Sequence, residues 1–213
     1  MRILIIGAHY DDIELSAGGT VAKFIKEGHK VFVNVVTTSD YTSYDGTVLR
    51  NKYSSRKEGV AGLLVLGVKE SNIQNLGFET KCVPFSVDLI EKINNSIDRI
   101  NPDLIITHHV TAESHQDHIN TAKCVMSASR RCNSIWCWEP YYPSKLSTIP
   151  FKPVKYIDIS AYLEIKILSL KKHVSQWKKY PYWEDLVRSL ARVRGIEIQK
   201  QYAETFEVLK DNL

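Results

Sequence analysis

Residues 3–6 read Ile-Leu-Ile-Ile, an apolar run suited to a strand buried on both faces. The stretch directly after this run constrains the chain further: Gly7-Ala8-His9-Tyr10-Asp11-Asp12-Ile13-Glu14, and soon after it Gly18-Gly19-Thr20. A histidine and three carboxylates at the mouth of a buried strand are costly to place for packing alone. Such charges crowd one turn unless something positive neutralises them. A divalent metal would do so. His9 and Asp12 are three residues apart, so a tight strand-to-helix turn can aim both at one point, with Asp11 beside it.

A second cluster supplies what the first lacks. Asp103-Leu104-Ile105-Ile106-Thr107 reads as another buried strand, and the segment from His108 to His118 comes after it, with histidines at 108, 109, 115 and 118. The run from His115 to Ala128 reads as a helix, which puts His115 and His118 on one face, one turn apart. A catalytic zinc takes three protein ligands of nitrogen or oxygen type and keeps one position open for water. His9, Asp12 and His118 meet that requirement. Each histidine alone would be read as a surface residue or a satisfied core residue. Two clusters, each closing a hydrophobic strand, argue against that reading. His108 and His109, at the strand end, are read as lining the cleft or satisfying backbone groups.

The paired motifs Ala8-His9-Tyr10-Asp11-Asp12-Ile13-Glu14 and His115-Gln116-Asp117-His118 resemble those of the LmbE-like, or PIG-L-type, zinc-dependent N-deacetylases. The likeness runs over nearly the whole chain, with Gly18-Gly19-Thr20, Arg56-Lys57-Glu58, Leu66-Gly67-Val68 and Tyr202-Ala203-Glu204-Thr205-Phe206 in the expected order. It implies removal of an acetyl group from an N-acetylated amino sugar conjugate, a small-molecule substrate of the N-acetylglucosamine type. Zn2+ would activate the water and the amide. The resemblance makes Asp11 the general base and His115 the group that stabilises the oxyanion. It makes Asp117 the partner that orients or charge-tunes His115, and Arg56 a substrate contact. Glu14 is read as a helix cap or a residue behind the metal. The sequence departs from the family pattern at Tyr10 and Gln116, where proline is common, and at Glu113, where some members carry tyrosine. Two other readings compete: a metal-dependent hydrolase of a different sugar or nucleotide-sugar amide or ester, and a non-catalytic zinc-stabilised binding protein.

The rest of the chain reads as one domain over residues 1–213. Strands are expected at Val31–Val36, Ile73–Gly77, Ser134–Trp138 and Val154–Ile159, and Tyr202–Leu209 is either a closing strand or an extended tail. Helices are expected near Glu14–Glu27, Arg50–Leu66, Phe85–Ile100, Ala161–Trp177 and Trp183–Gln199, with Thr37–Val48 as a loop at the edge that carries His9. Alternating strands and helices predict an α/β fold with a mainly parallel sheet. The resemblance implies a Rossmann-like, three-layer version of it, without a dinucleotide, since no G-x-G-x-x-G comes after the first strand. Net charge is only +4 and the basic residues are scattered, which predicts no nucleic-acid partner. No apolar run approaches the ~20 residues that cross a bilayer. Cys82, Cys124, Cys132 and Cys137 form no C-x-x-C, so reduced thiols and a cytoplasmic location are expected. The resemblance also implies a homo-oligomer, with the aromatic stretch Trp136–Tyr142 as contact area.

Overall fold

β1 (Arg2–Gly7) is the axis of the molecule. In the computed structural model, which describes residues 1–43, 45–141 and 149–212, it pairs in parallel with β2 (Lys30–Thr37) on one side and with β6 (Leu104–Thr107) on the other. Ile5 lies opposite Val33 and Ile106 in these two pairings. β5 (Ile73–Phe78) extends the sheet beyond β2, and β7 (Ser134–Trp138) extends it beyond β6. The sheet is completed by β9 (Ala203–Lys210), antiparallel to β7, and by β8 (Lys155–Asp158), antiparallel to β9. The order is β5-β2-β1-β6-β7-β9-β8. Thus the C-terminal stretch is a strand of the sheet and not a tail.

All four residues of the Ile3–Ile6 run are fully buried. They alternate between two cores: Ile3 and Ile5 pack with α1 (Asp12–Lys26) and α2 (Lys52–Val65), Leu4 and Ile6 with α3 (Val87–Ile100) and α4 (Gln116–Ala128). This two-sided burial is the sandwich that a period-2 strand with no polar face demands, at about 1.5–3 kcal/mol per large aliphatic side chain. The protein is therefore a three-layer α/β domain with a mainly parallel sheet.

Local chemistry sets the helix ends. Asn51 and Ser54 form a reciprocal capping box at the start of α2, and Ser86 caps α3. α3 stops at Asn101, which takes the left-handed conformation (φ 48°) just before Pro102. The expected helix over Ala161–Trp177 is two helices, α5 (Leu163–Leu170) and α6 (Val174–Lys179). The chain turns at His173 (φ −79°, ψ 64°), whose ring meets Glu14. α7 (Trp183–Glu197) packs on β9 and closes a smaller apolar cluster with α5 and Leu15. The expected loop Thr37–Val48 contains a short antiparallel pair, β3 (Tyr41–Thr42) and β4 (Val48–Arg50).

Strand order reverses at β1: the chain leaves it toward β2 and β5, then returns to its other side through β6 and β7. In such sheets the crevice beyond the strand ends at this reversal is where ligands bind. His9 comes after β1 and His108 after β6, so both expected clusters open into that crevice.

Trp136 and Trp138 are 3% and 1% exposed, packed inside their own chain. These two rings offer no surface to a second copy, Tyr141 is half-buried, and Tyr142 lies outside the described residues. Cys82 is exposed, and the other three cysteines are buried and free. No helix among the described residues is long and apolar enough to cross a membrane.

Candidate metal centre

The turn from β1 into α1 brings Asp12 under His9. The His9 backbone N–H donates to Asp12 Oδ2 at 2.6 Å, which folds the carboxylate back toward the strand end. Asp12 is fully buried. His118, on the first turn of α4, reaches the same point from the other side of β1. His9 Nδ1 lies 3.1 Å from His118 Nε2 and 3.5 Å from Asp12 Oδ2, and His118 Nε2 lies 3.2 Å from Asp12 Oδ1. A tetrahedral zinc with bonds of about 2.0–2.1 Å holds its ligand atoms about 3.3 Å apart. The three expected ligands already have that spacing.

Protons decide whether the spacing means a metal. His9 donates through Nε2 to Asp117 Oδ2 at 3.0 Å, and His118 donates through Nδ1 to Glu113 Oε2 at 2.9 Å. In the neutral rings, Nδ1 of His9 and Nε2 of His118 then carry lone pairs, and these two atoms face each other. Asp12 Oδ1 is buried beside them with no hydrogen-bond donor. Two lone pairs and a carboxylate oxygen converging in a buried site need a cation or extra protons. Without an ion the protons are the answer. Burial opposes charging His9, but Asp12 and Asp117 outweigh it and push its pKa to about 9. In the same way Asp12 and Glu113 overcome burial and push His118 to about 10. Burial also opposes ionisation of Asp12, yet His118, His108 and His9 together hold its carboxyl well below the usual range.

Two other histidines crowd the cluster. Donor atoms of His9, His115 and His118 fall within 4.8 Å of one another, as do those of Asp12, His108 and His118. His108 is buried and its ring stacks on His118 at 4.1 Å. Its Nε2 lies within hydrogen-bond distance of the Ala8 N–H and of Asp12 Oδ2, and its Nδ1 has no partner. It lacks the outer partner that a metal-binding imidazole ordinarily has. Burial, with His118 next, pushes its pKa down to about 4, so it is a neutral wall of the site. His115 caps α4: its Nδ1 accepts from the Asp117 N–H at 3.2 Å, which leaves Nε2 to carry the ring proton. Burial and the neighbouring His118 lower its pKa.

Asp11 differs from Asp12 although the two are adjacent. It is partly exposed, lines the cavity, and has Arg50 Nη1 3.4 Å from Oδ2. Arg50 is 2% exposed and is fixed by its Nε–H bond to Ser55 Oγ at 2.9 Å. The cavity, about 150 Å³, is lined by His9, Asp11, His115 and His118 and also by Tyr41, Lys81, Lys179 and Tyr180.

Two expected residues make further or other contacts in this geometry. Asp117 meets the His115 ring through its backbone N–H and its charge, while its carboxylate makes its hydrogen bonds elsewhere. The carboxylate accepts from His9 and from the backbone N–H groups of Lys81 (2.6 Å) and Val83 (3.1 Å). Arg56 is exposed on α2 and does not line the cavity; Arg50 does. Arg50 was missed because nothing in Val48-Leu49-Arg50-Asn51 marks the arginine as buried. Glu113 carried a signal as a departure from the family pattern, but its partner His118 was not evident.

Known proteins resemble this chain over most of its length. Residues 4–129 match the family model described as PIG-L, GlcNAc-PI de-N-acetylase. The diacetylchitobiose deacetylase of Thermococcus kodakarensis is 25% identical over 95% of this chain and 81% of its own. The uncharacterized deacetylase YaiS of Escherichia coli is 32% identical over 81% of this chain and 90% of its own. Among solved structures, the N,N'-diacetylchitobiose deacetylase of Pyrococcus horikoshii superposes with a TM-score of 0.82 at 23% identity, over 98% of this chain and 83% of that one. GalB, the 4-carboxy-2-hydroxymuconate hydratase of Pseudomonas putida KT2440, superposes with a TM-score of 0.84 at 16% identity, over 100% and 97%. At such identities these likenesses speak for the fold, and a deacetylase and a hydratase on one fold show that fold alone does not choose the chemistry. The family match does not rest on fold: its stretch contains both candidate metal-site segments, His9–Asp12 and His115–His118, and the chain belongs to the PIG-L family.

Proposed function

We propose that the protein is a metal-dependent deacetylase that hydrolyses the acetamide of an N-acetylated amino sugar conjugate, giving acetate and a free amine. The observation that carries this reading is the convergence of His9 Nδ1, Asp12 and His118 Nε2 at ligand spacing beside a cavity that also receives Asp11 and His115. The names of the relatives, a diacetylchitobiose deacetylase and an uncharacterized deacetylase, support the same reaction class.

His9, Asp12 and His118 would hold the ion, with zinc the first candidate for such a nitrogen and oxygen set. When bound, it supplies Lewis acidity, polarising the acetamide carbonyl and making water a better nucleophile. The remaining work falls to side chains of this chain. Asp12 is buried and turned inward, so it cannot serve as a base toward a substrate. Asp11 faces the cavity, with Arg50 fixing its orientation, and takes the proton from the attacking water. The water oxygen bonds to the carbonyl carbon. The Nε2–H of His115 donates to the oxygen that becomes negative. Asp11 then returns its proton to the amide nitrogen as the C–N bond breaks. Asp117 and Glu113 hold the two ligand imidazoles in the tautomers that the ion needs.

The test is release of acetate and free amine, in equal amounts, from a panel of N-acetylated sugars with the metal-loaded protein. Amine release that chelation abolishes and added metal restores is the expected result. A panel that yields no amine, with metal demonstrably bound, overturns the reading.

A further inference from the structure

Asp11 is held by more than one ion pair. Arg50 Nη1 reaches its Oδ2 at 3.4 Å, and Arg50 donates through Nε–H to Ser55 Oγ at 2.9 Å. Ser55 lies on the first turn of α2 and is fully buried. Its hydroxyl, which also meets the Asn51 C=O, donates to the Ser39 C=O at 2.8 Å. Ser39 Oγ in turn accepts the Tyr10 N–H at 3.0 Å. Tyr10 is the residue before Asp11, so the path Tyr10, Ser39, Ser55, Arg50, Asp11 closes on itself. Its first four members are buried, and Asp11 is the partly exposed one.

Ser39 is the node of this ring. Its φ is 56°, in the left-handed region that a residue with a Cβ enters at a cost. Three bonds hold it there: its N–H donates to Thr37 Oγ1 at 3.2 Å, its Oγ accepts from Tyr10, and its C=O accepts from Ser55. Tyr10 is fixed a second time by its ring, which packs so closely on α2 that a Cβ at Gly59 would overlap it. The hairpin of β3 and β4 begins just after Ser39 and ends at Arg50, so both of its stems belong to the ring. The bond from Ser55 to Ser39 alone would anchor the hairpin. Burying a guanidinium to meet Asp11 costs extra, and the Asp11 carboxylate is what offsets that cost.

We propose that Ser39 and Ser55 are positioning residues for the base: through Arg50 they hold the Asp11 carboxylate in the orientation from which it takes the proton of the attacking water. The inference rests on the deacetylase reading, in which Asp11 is that base. A base works only from within hydrogen-bond reach, and a misplacement of about 1 Å costs up to about 10²-fold in rate. The two serines act on that reach and not on the substrate or the metal.

The experiment compares Ser39→Gly and Ser55→Ala, each alone and combined with Asp11→Asn, in metal-loaded protein on an N-acetylated sugar that the wild type cleaves. Glycine accommodates the φ of 56°, so Ser39→Gly keeps the fold. Each serine variant should lower kcat about tenfold with KM and metal content unchanged, because only the base is displaced. Combined with Asp11→Asn, each should change the residual rate by less than about twofold, since the group it positions is already gone. Losses that multiply in the combined variants, or that fall on KM, overturn the proposal. A second readout needs no substrate. The Arg50 Nε–H signal in proton–nitrogen correlation spectra, identified by its absence in Arg50→Lys, should shift in Ser39→Gly and in Asp11→Asn, which act on it from opposite ends of the path. A signal that either substitution leaves unmoved also overturns the proposal. If no sugar is cleaved while the signal moves with both, the deacetylase reading falls and the positioning of Asp11 stands. If sugars are cleaved and both serine variants turn over at the wild-type rate, the positioning role falls and the deacetylase reading stands.

Discussion

Asp12 and Glu14 lie on the same first turn of α1, both fully buried and both facing histidine, yet they solve the cost of a buried carboxylate in opposite ways. Glu14 Oε1 meets His173 Nε2 at 2.9 Å, and Gly62 closes over the pair: a Cβ there would stand 2.5 Å from Glu14 Oε1 and 2.9 Å from His173 Nε2. Neither residue lines the cavity. Burial raises the pKa of Glu14, with His173 opposing. Each carboxylate keeps one oxygen with no donor, but Asp12 has three histidines around it, and two of them line an open cavity. The first site is closed on itself and carries structure. The second is arranged for something that comes from outside.

The largest effects should separate the two. His118→Ala should lose most bound metal and nearly all turnover, because it removes a ligand and not merely an outer partner. Elemental analysis that finds wild-type metal content in that variant would remove His118 from the ligand set. Glu14→Ala should do the opposite. It strands His173 in the core and costs on the order of 3 kcal/mol of stability, read from denaturant unfolding, while the folded fraction still binds metal. A Glu14→Ala protein of normal stability that has lost its metal would erase the distinction between the sites.

Within the metal cluster the neighbours Asp11 and Asp12 should part next. Asp11→Asn keeps shape and removes basicity, so it should retain metal and lose about 10²–10⁴ in rate. Asp12→Asn should weaken metal binding itself, with some activity restored by excess metal. Metal titration and turnover on both variants check this, and exchanged phenotypes would reverse the two roles.

Much of this was legible in the sequence, for physical reasons. The Ile3–Ile6 run fixed a strand with no polar face, and the spacing of His9 and Asp12 allowed one turn to aim both at a point. His118 arrives beside them because a helix start after a second buried strand reaches the same sheet edge. Asp117 meets the His115 ring through its backbone N–H and its charge, while its carboxylate turns to His9, a contact across the fold that no local spacing specifies. The break before α6 carries no glycine or proline; it exists because His173 must reach Glu14 across the fold. Likewise the place of β9 between β7 and β8 depends on long-range pairing that no local pattern specifies.

The pH response arises from the same protons. In the metal-free protein His9 is raised to about 9 and His118 to about 10. Raised histidine pKa values give stability that is full below the unfolded value near 6.5 and is lost as pH rises through 9 to 10. Metal binding needs those protons gone, so apparent affinity rises with pH up to about 10. The gain in Tm on adding a fixed excess of metal over a chelated control should therefore grow from pH 6 to pH 9. A gain that is flat or shrinks over that interval would show that the metal does not displace these protons.

The finest distinction is between the two outer carboxylates. Asp117 is anchored by two backbone N–H groups and holds His9; Glu113 accepts from the backbone N–H groups of Ser114 (2.7 Å) and His115 (3.2 Å) and holds His118. Burial works against the charge on Glu113, but the bond from His118 overrides it and pulls its pKa down to about 2, so it is ionised at any pH the protein meets in use. An anionic acceptor raises the basicity of the imidazole it holds, and losing such a partner costs about 10–100-fold in metal affinity. Glu113→Gln keeps an oxygen for the His118 Nδ1–H and removes only the charge, so its effect should fall at the lower end, near tenfold, with the fold and the tautomer preserved. Glu113→Ala should approach the upper end. Competition with a chelator of known affinity reads both without any substrate. If Gln and Ala weaken the metal equally, the charge is irrelevant and Glu113 serves only to orient the ring. If neither weakens it, the His118 tautomer is set elsewhere and the two outer carboxylates are not equivalent partners.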